Sequence, residues 1–592
     1  MSRARRAALL SVAGATVLAG LVCLTPALAS TAPPAGGTAT ENLRVTVSDG
    51  VSLQATVTGA APLAPRPTIV EFSPYGNGSG TFTPGPAYNF LLVQIRGTGS
   101  SDGSFDALGP RTQLDVQQVL QWACHAPFSD GTLGLNGFSA SAITIYNSLH
   151  LSLPCVKAAL LKSGTYSLYR DLLWPGGVSN FVPGVGVAGL IAGPALEQGP
   201  DRLQRAPLTS VTTATGLATA DLSAIEHPTL DAWWQQRQFQ GDVNHLPILM
   251  IDGFFDVESR GAFQAYQELR GDGAHLLVVG GHDGAPAGTD DGNAEAEAWF
   301  DHYLRGVDNG VTRQPAVQLL LAKGDRVQYL NGAFERTSGT DWPLPGTHWV
   351  PLALSPARSG TAHSLNDGTL TAGTPAAATT ESYPAVASLP TATDVPNAAI
   401  VGAAGLNQLF AALPALDEMN VAEPQGLSFT TAPLRQDVQS AGPLDLDVPL
   451  STTTPGAAIW AVLCDVAPDG TSHPLTVGRL STAYPDLDPS RSLYDPVTGD
   501  LVQPYGVYDA KTPPAVGQTR LYHVEFWPVG NDFQAGHRIR LDIIGASGAS
   551  TLAVPGVNSV LVGAGSGARL QMPVLPGSDL LAALGAGPSD PN

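Results

Sequence analysis

Between Glu41 and about Gly310 the chain repeats one unit: a short unbroken apolar run that stops at a glycine or polar residue, then an amphipathic stretch. The runs read PTIVEFSP, FLLVQIRG, GTLGLNGFS, LPILMIDGFFD and AHLLVVGGHD, and the intervening stretches include TQLDVQQVLQWACH and RGAFQAYQELRGD. A strand apolar at consecutive positions is buried on both faces, which happens when helices cover both sides of a parallel sheet. The rhythm therefore predicts an α/β domain on a mostly parallel sheet. It breaks at about residues 172–245, where DLLWPGGVSNFVPGVGVAGL and TLDAWWQQRQF predict an inserted, partly helical cap.

After about Thr312 helical periodicity fades. Short β-branched runs take over, AVQLLLA, LSFTTAPL, LDLDVPLS, AIWAVLCDV, LYHVEFWPV and RIRLDII among them, with turn residues roughly every ten positions. That pattern predicts a β-sandwich. Residues 355–400, rich in Ala, Thr and Pro, read as a long irregular excursion.

A length of 592 residues exceeds one domain, and 43% hydrophobic with 13% charged residues is a globular composition able to bury a core. The first residues, MSRARRAALLSVAGATVLAGLVCLTPALAS, combine Arg3, Arg5 and Arg6 with an apolar run and an Ala27-Leu-Ala29 cleavage pattern. They predict a secretory signal peptide over 1–29 and a secreted protein. No other run approaches the ~20 apolar residues that span a bilayer, so no membrane span is expected in the mature chain. The expected order is signal peptide 1–29, flexible leader 30–40, catalytic α/β domain 41–313 with its cap at about 172–245, and β-sandwich 314–592. A net charge of −21 argues against nucleic acid as a partner. Beyond the signal lie Cys124, Cys155 and Cys464. Export permits a disulfide, and Cys124 and Cys155 flank a predicted strand-turn-helix at the edge opposite its turn, so a bridge between them is one option.

That turn is Gly137-Phe-Ser139-Ala-Ser141, a serine between small residues where a strand passes to a helix. Such pentads are common in a chain with 66 glycines, and this one gains weight only from partners. A nucleophile elbow needs an acid and then a histidine on loops after later strands. Asp256 ends PILMIDGFFD and His282 ends HLLVVGGHDG, with room between them for one helix and one strand. The competitors are worse placed: Asp252 lies inside its run, His275 begins its strand, and Asp283 adjoins the histidine. Ser141 offers a second hydroxyl, but the turn favours Ser139. The predicted triad is Ser139, Asp256 and His282.

Several segments in register extend this picture. VQIRGTGSSDGSF, WACHAPFSDGTLGLNGFS, YRDLLWPGG, HPTLDAWWQQR, GFFD, GGHDG, WFDHYLRGVDNGV, LSFTTAPLRQDVQSAGPLDL and GHRIRLDI resemble segments of the cocaine-esterase/X-prolyl dipeptidyl-peptidase family of serine hydrolases. The resemblance implies an α/β hydrolase followed by an all-β jelly-roll domain. It implies that Ser139 attacks the acyl carbon, His282 moves the proton and Asp256 orients the imidazole. It also implies an oxyanion hole formed by the Tyr75 hydroxyl, from FSPYG, and the Ala140 N–H. Where the family has Tyr directly after the nucleophile and Gly three residues after it, this chain has Ala140 and Ala142, which leaves pocket shape open.

The expected function is a secreted, cofactor-free serine hydrolase acting on a small-molecule ester or a short peptide, with X-prolyl dipeptidyl or other aminoacyl cleavage favoured and carboxylesterase or acylase action the alternative. A non-catalytic binding protein is the reading from another class. A dipeptidyl-peptidase must hold a free α-ammonium group, and Glu71, Asp102 and Asp171 are the candidate acids. No phosphate loop, dinucleotide fingerprint, zinc motif or metal-spaced cysteine and histidine cluster appears, so no metal is expected. Oligomeric state is not legible.

Overall fold

The computed structural model describes residues 37–76, 78, 82–180, 223–282, 284–387, 418–547 and 554–585. The expected signal peptide, most of the leader and the middle of the expected cap lie outside them. Residues 38–40, expected in the leader, instead begin a strand: Thr38–Thr46 (β1) pairs with Ser52–Ala60 (β2) from Thr38 opposite Ala60 onward.

Eight more strands complete the first part of the fold: Arg66–Ser73 (β3), Asn89–Gln94 (β4), Ser129–Phe138 (β5), Val156–Lys162 (β6), Ile248–Asp252 (β7), His275–Val278 (β8), Val317–Ala322 (β9) and Phe334–Gly339 (β10). They form one sheet in the order β1-β2-β4-β3-β5-β6-β7-β8-β9, with β10 also on β9. From β4 through β9 every neighbour is parallel. Five helices matter here: Pro110–Ala123 (α1), Ala140–Ser148 (α2), Ala232–Gln235 (α3), Ser259–Leu269 (α4) and Asn293–Arg305 (α5). The Asp106 carboxylate caps α1 by accepting from the N–H groups of Arg111 and Thr112 at 2.9 and 3.2 Å, and Pro110 occupies the first turn, where no N–H is needed. Val116, Val119 and Leu120 turn that helix's apolar stripe inward. On α5, Trp299, Phe300 and Leu304 are buried, with Phe300 lying over the Cβ-free backbone of Gly134 in β5.

AVQLLLA, expected as the first strand of the sandwich, is β9 of this sheet. Its residues are almost all buried, and it continues the parallel order beside β8. The sheet also recruits strands from far along the chain: Val529–Phe533 joins β9 at Asn531 opposite Ala322, and Val438–Gly442 pairs with Val529–Phe533. Within the expected excursion at 355–400, Gly368–Thr371 and Ala378–Pro384 are strands, and residues 388–400 lie outside the described residues.

The carboxyl-terminal part is all-β, an 11-stranded sheet whose pairings are antiparallel apart from Gly368–Thr371 with Leu427–Thr430. It docks on the first part through Arg260, which bonds Glu525 at 3.0 Å, and through Arg170, which donates to the Gly506 carbonyl at 2.9 Å. Cys124, at the end of α1, and Cys155, just before β6, are disulfide-bonded with Cα atoms 5.9 Å apart. Cys464 is a buried thiol. No helix among the described residues is long and apolar enough to cross a membrane.

Candidate active site

Because β5, β6, β7 and β8 are parallel neighbours, the loops after them leave one edge of the sheet. Ser139 directly follows β5, Asp256 stands four residues past β7 and His282 four past β8. Ligands of such sheets bind at this carboxyl edge.

Ser139 has φ 54° and ψ −126°, a conformation that few residues other than glycine adopt. It is held there on both sides: its N–H donates to the Lys162 carbonyl at 3.0 Å, and its carbonyl accepts from the Ile143 N–H at 3.0 Å. The elbow needs small neighbours because strand and helix nearly touch. A Cβ on Gly137 would lie 2.6 Å from the Ala142 Cα, and one on Gly164 would lie 2.4 Å from the Ala142 Cβ. Gly164 thus makes the room that Ala142 occupies. Ser141 lies inside α2, fully buried, and is no rival nucleophile.

Asp256 and His282 are in contact. Asp256 Oδ2 accepts the backbone N–H of His282 at 2.6 Å, and both carboxylate oxygens lie 3.0 Å from His282 Nδ1. Asp256 Oδ1 also accepts the Glu258 N–H at 2.8 Å. Burial raises the carboxyl's pKa, but the His282 charge and these hydrogen bonds outweigh it, and the net direction is down. Gly281 is required beside them: its φ is +138°, and a Cβ would meet Asp256 Oδ2 at 2.1 Å. The ring of Phe138, the residue before Ser139, lies 4.8 Å from the His282 ring, which places imidazole and elbow side by side.

Tyr75, half-buried after β3, has its backbone N–H on Ser73 Oγ at 3.1 Å. Its hydroxyl accepts the Ala140 N–H at 3.2 Å. Burial pushes the phenol up to about 12, against the pull of hydrogen bonds from Ser139 and Ala140, so it stays a neutral donor. The hydroxyl and the N–H that the resemblance implied for an oxyanion therefore meet beside the serine, bonded to each other.

The rejected alternatives fall elsewhere. Asp252 ends β7 fully buried, accepts the Gly253 N–H at 2.7 Å and is pushed well up by burial. His275 lies against Trp299, with ring centroids 5.1 Å apart and planes tilted by 58°, and burial pushes it down. Asp283 lies outside the described residues. The three candidate ammonium-binding acids all have protein partners: Glu71 accepts from Asn136 at 2.8 Å, Asp102 pairs with Arg44 at 2.6 Å, and Asp171 pairs with Arg260 at 2.6 Å.

Sequence reasoning missed Glu258. It is buried two residues after Asp256, accepts the Thr165 N–H at 3.1 Å, and is pushed up to about 8 by burial, which outweighs the nearby His282 charge. A lone glutamate in DVES carries no local pattern that could have flagged it.

An elbow serine and a buried histidine–aspartate pair at the carboxyl edge of a mostly parallel sheet define a serine hydrolase of the α/β-hydrolase fold. The chain matches the X-Pro dipeptidyl-peptidase (S15 family) model over residues 49–283 and the X-Pro dipeptidyl-peptidase C-terminal non-catalytic domain over residues 309–559. It belongs to the cocaine-esterase/X-prolyl dipeptidyl-peptidase family of hydrolases. It is 23% identical over 499 residues to the cocaine esterase of Rhodococcus sp. (strain MB1 Bresler), covering 77% of this chain and 80% of that one. It is 25% identical over 412 residues to a putative Xaa-Pro dipeptidyl-peptidase of Streptomyces avermitilis, covering 64% of this chain and about half, 52%, of that relative. A crystal structure of a CocE/NonD family hydrolase from Staphylococcus aureus superposes with TM-score 0.69 at 18% identity, covering 90% of this chain and 94% of that one, which shows the shared fold.

Proposed function

We propose that this chain is an exported hydrolase that transfers an acyl group to water through an acyl-enzyme on Ser139. His282 removes the Ser139 proton as Oγ attacks the acyl carbon, and returns it to the leaving group. Asp256, ionised and bonded to Nδ1, fixes the ring and stabilises the imidazolium. The oxyanion forms between the Tyr75 hydroxyl and the Ala140 N–H, and such a donor is worth about 3 kcal/mol in the transition state. Water then attacks the acyl carbon as His282 takes its proton, and His282 returns that proton to Ser139 Oγ as the bond to the acyl carbon breaks and the acid is released. The observation that carries this reading is the His282–Asp256 pair, bonded at both ring and backbone beside a strained elbow serine.

X-prolyl or aminoacyl cleavage is the first expectation for the substrate, and one observation favours the alternative, a carboxylic ester. The three acids that could hold a substrate ammonium group are already paired within the protein. Glu258, the other carboxyl beside His282, titrates at about 8 and is largely neutral at pH 7. Comparing kcat/KM for Gly-Pro-anilide and for nitrophenyl esters of short acids decides this. Higher values on the esters support the ester reading, and higher values on the anilide restore the peptidase one.

Export rests on the Arg3, Arg5 and Arg6 segment, the apolar run and Ala27-Leu-Ala29, and it agrees with a bridge between Cys124 and Cys155. Amino-terminal sequencing of the protein from culture supernatant should begin just after Ala29. A chain kept inside the cell with Met1 intact would contradict export.

A further inference from the structure

Strand Asp445–Thr452 lies between Arg520–Glu525 on one side and Arg569–Val574 on the other. Directly opposed residues of antiparallel strands share a face. One face therefore carries a row of Glu525, Asp445 and Gln571 and, next to it, a row of His523, Asp447 and Arg569. Leu446, between the two aspartates, points to the buried apolar side.

His523 Nδ1 lies 3.0 Å from Asp445 Oδ2 and 2.6 Å from Asp447 Oδ1. One ligand atom from each of these three residues lies within 4.8 Å of the others. Ligands about 2.0–2.2 Å from one tetrahedral ion stand roughly 3.3–3.6 Å apart, so the 2.6 and 3.0 Å contacts would open by about half an ångström to admit one. The other Asp447 oxygen is held by Arg569 Nε at 2.7 Å, and Arg569 reaches Asp500 at 3.0 Å. Three carboxylates against one guanidinium leave a formal charge of −3 + 1 = −2. Burial opposes a charge on His523, but Asp445 and Asp447 outweigh it and push the imidazole up to about 10, so its proton brings the cluster to −2 + 1 = −1. A divalent cation would displace that proton and balance the remaining −2. Glu525, in the same row, is matched by Arg260.

A second observation is independent of this charge cluster. Gln571 is fully buried, and both its amide oxygen and its amide nitrogen lack a partner among the described residues. It stands directly opposite Asp445, whose own Oδ1 also lacks a partner there. A buried amide left unbonded is costly, and its carbonyl is a ready oxygen ligand. One imidazole nitrogen with three oxygen donors suits zinc better than calcium or magnesium, which take oxygen ligands.

We propose that Asp445, Asp447, His523 and Gln571 bind one Zn2+ ion that joins the three strands. Its place beside Glu525 matters. Glu525 bonds Arg260, which also pairs with Asp171 and lies four residues beyond Asp256. The ion would thereby brace the docking of the all-β part against the segment that carries the active-site acid. A water-filled or purely ion-paired cluster is the competing reading.

The test uses tag-free mature protein, freed of metal by chelation and titrated with ZnCl2 by calorimetry, with Tm read in parallel and CaCl2 as comparison. The expected result is one Zn2+ per chain, a raised Tm, and about 100-fold weaker binding in His523→Phe and in Gln571→Leu. Should His523→Phe fail to fold, Gln571→Leu decides, because it replaces a side chain that has no protein partner. No saturable one-to-one binding by the wild type, binding unchanged in Gln571→Leu, or a preference for CaCl2 would overturn the proposal.

Discussion

Asp256 holds His282 twice: Oδ2 accepts its backbone N–H at 2.6 Å, and the same oxygen stands 3.0 Å from its ring Nδ1. One carboxylate thus fixes both the loop and the imidazole. Asp256→Asn keeps the shape but offers a neutral amide, which favours the wrong tautomer and no longer stabilises the imidazolium. A fall in kcat of about 10⁴ is expected, with KM little changed. Steady-state kinetics on a nitrophenyl ester, with circular dichroism to check folding, measures this, and a loss below tenfold would remove Asp256 from the triad.

Tyr75 tests the oxyanion hole separately. Its phenol, pushed up to about 12, remains protonated across the working pH range and can donate throughout. Tyr75→Phe should lower kcat by about 10²–10³, or roughly 3–4 kcal/mol, with little effect on KM. An effect on KM alone would make Tyr75 a substrate contact instead.

Glu258 carries a pH signature in stability. Its folded value of about 8 lies above the ordinary 4.5, so between those values the folded chain holds a proton that the unfolded chain releases. The contribution is complete below 4.5 and is lost as pH rises through about 8. Glu258→Gln should flatten the fall in stability over that window by up to about 1.4 kcal/mol per pH unit. Denaturant melts from pH 5 to 8.5 on both proteins read the difference, and parallel curves would show that Glu258 ionises normally.

How much of this was legible in the sequence depended on how local each signal was. The parallel strands announced themselves because burial on both faces spells a continuous apolar run, and the triad residues sit where such runs end. β9 carries the same signal but follows the loss of helical periodicity, and that context groups it with the sandwich. Val438–Gly442 and Val529–Phe533 join the first sheet through pairings between distant segments, which no local pattern encodes. Ala378–Pro384 was missed for another reason: it lies at the end of its sheet, and most of its alternating residues are exposed, so it reads as polar. Glu258 and Gln571 matter through their surroundings, and burial of a single polar residue leaves no trace in its neighbours.

The central claim is that Ser139 is the nucleophile, and covalent labelling tests it most directly. Purified mature wild type and Ser139→Ala are treated with a fluorophosphonate probe, and the adduct is located by peptide mass spectrometry. The expected result is one adduct per wild-type chain, on Ser139, and none on the folded variant. Folded wild type that takes no label, or a variant that labels as well as wild type, would contradict it.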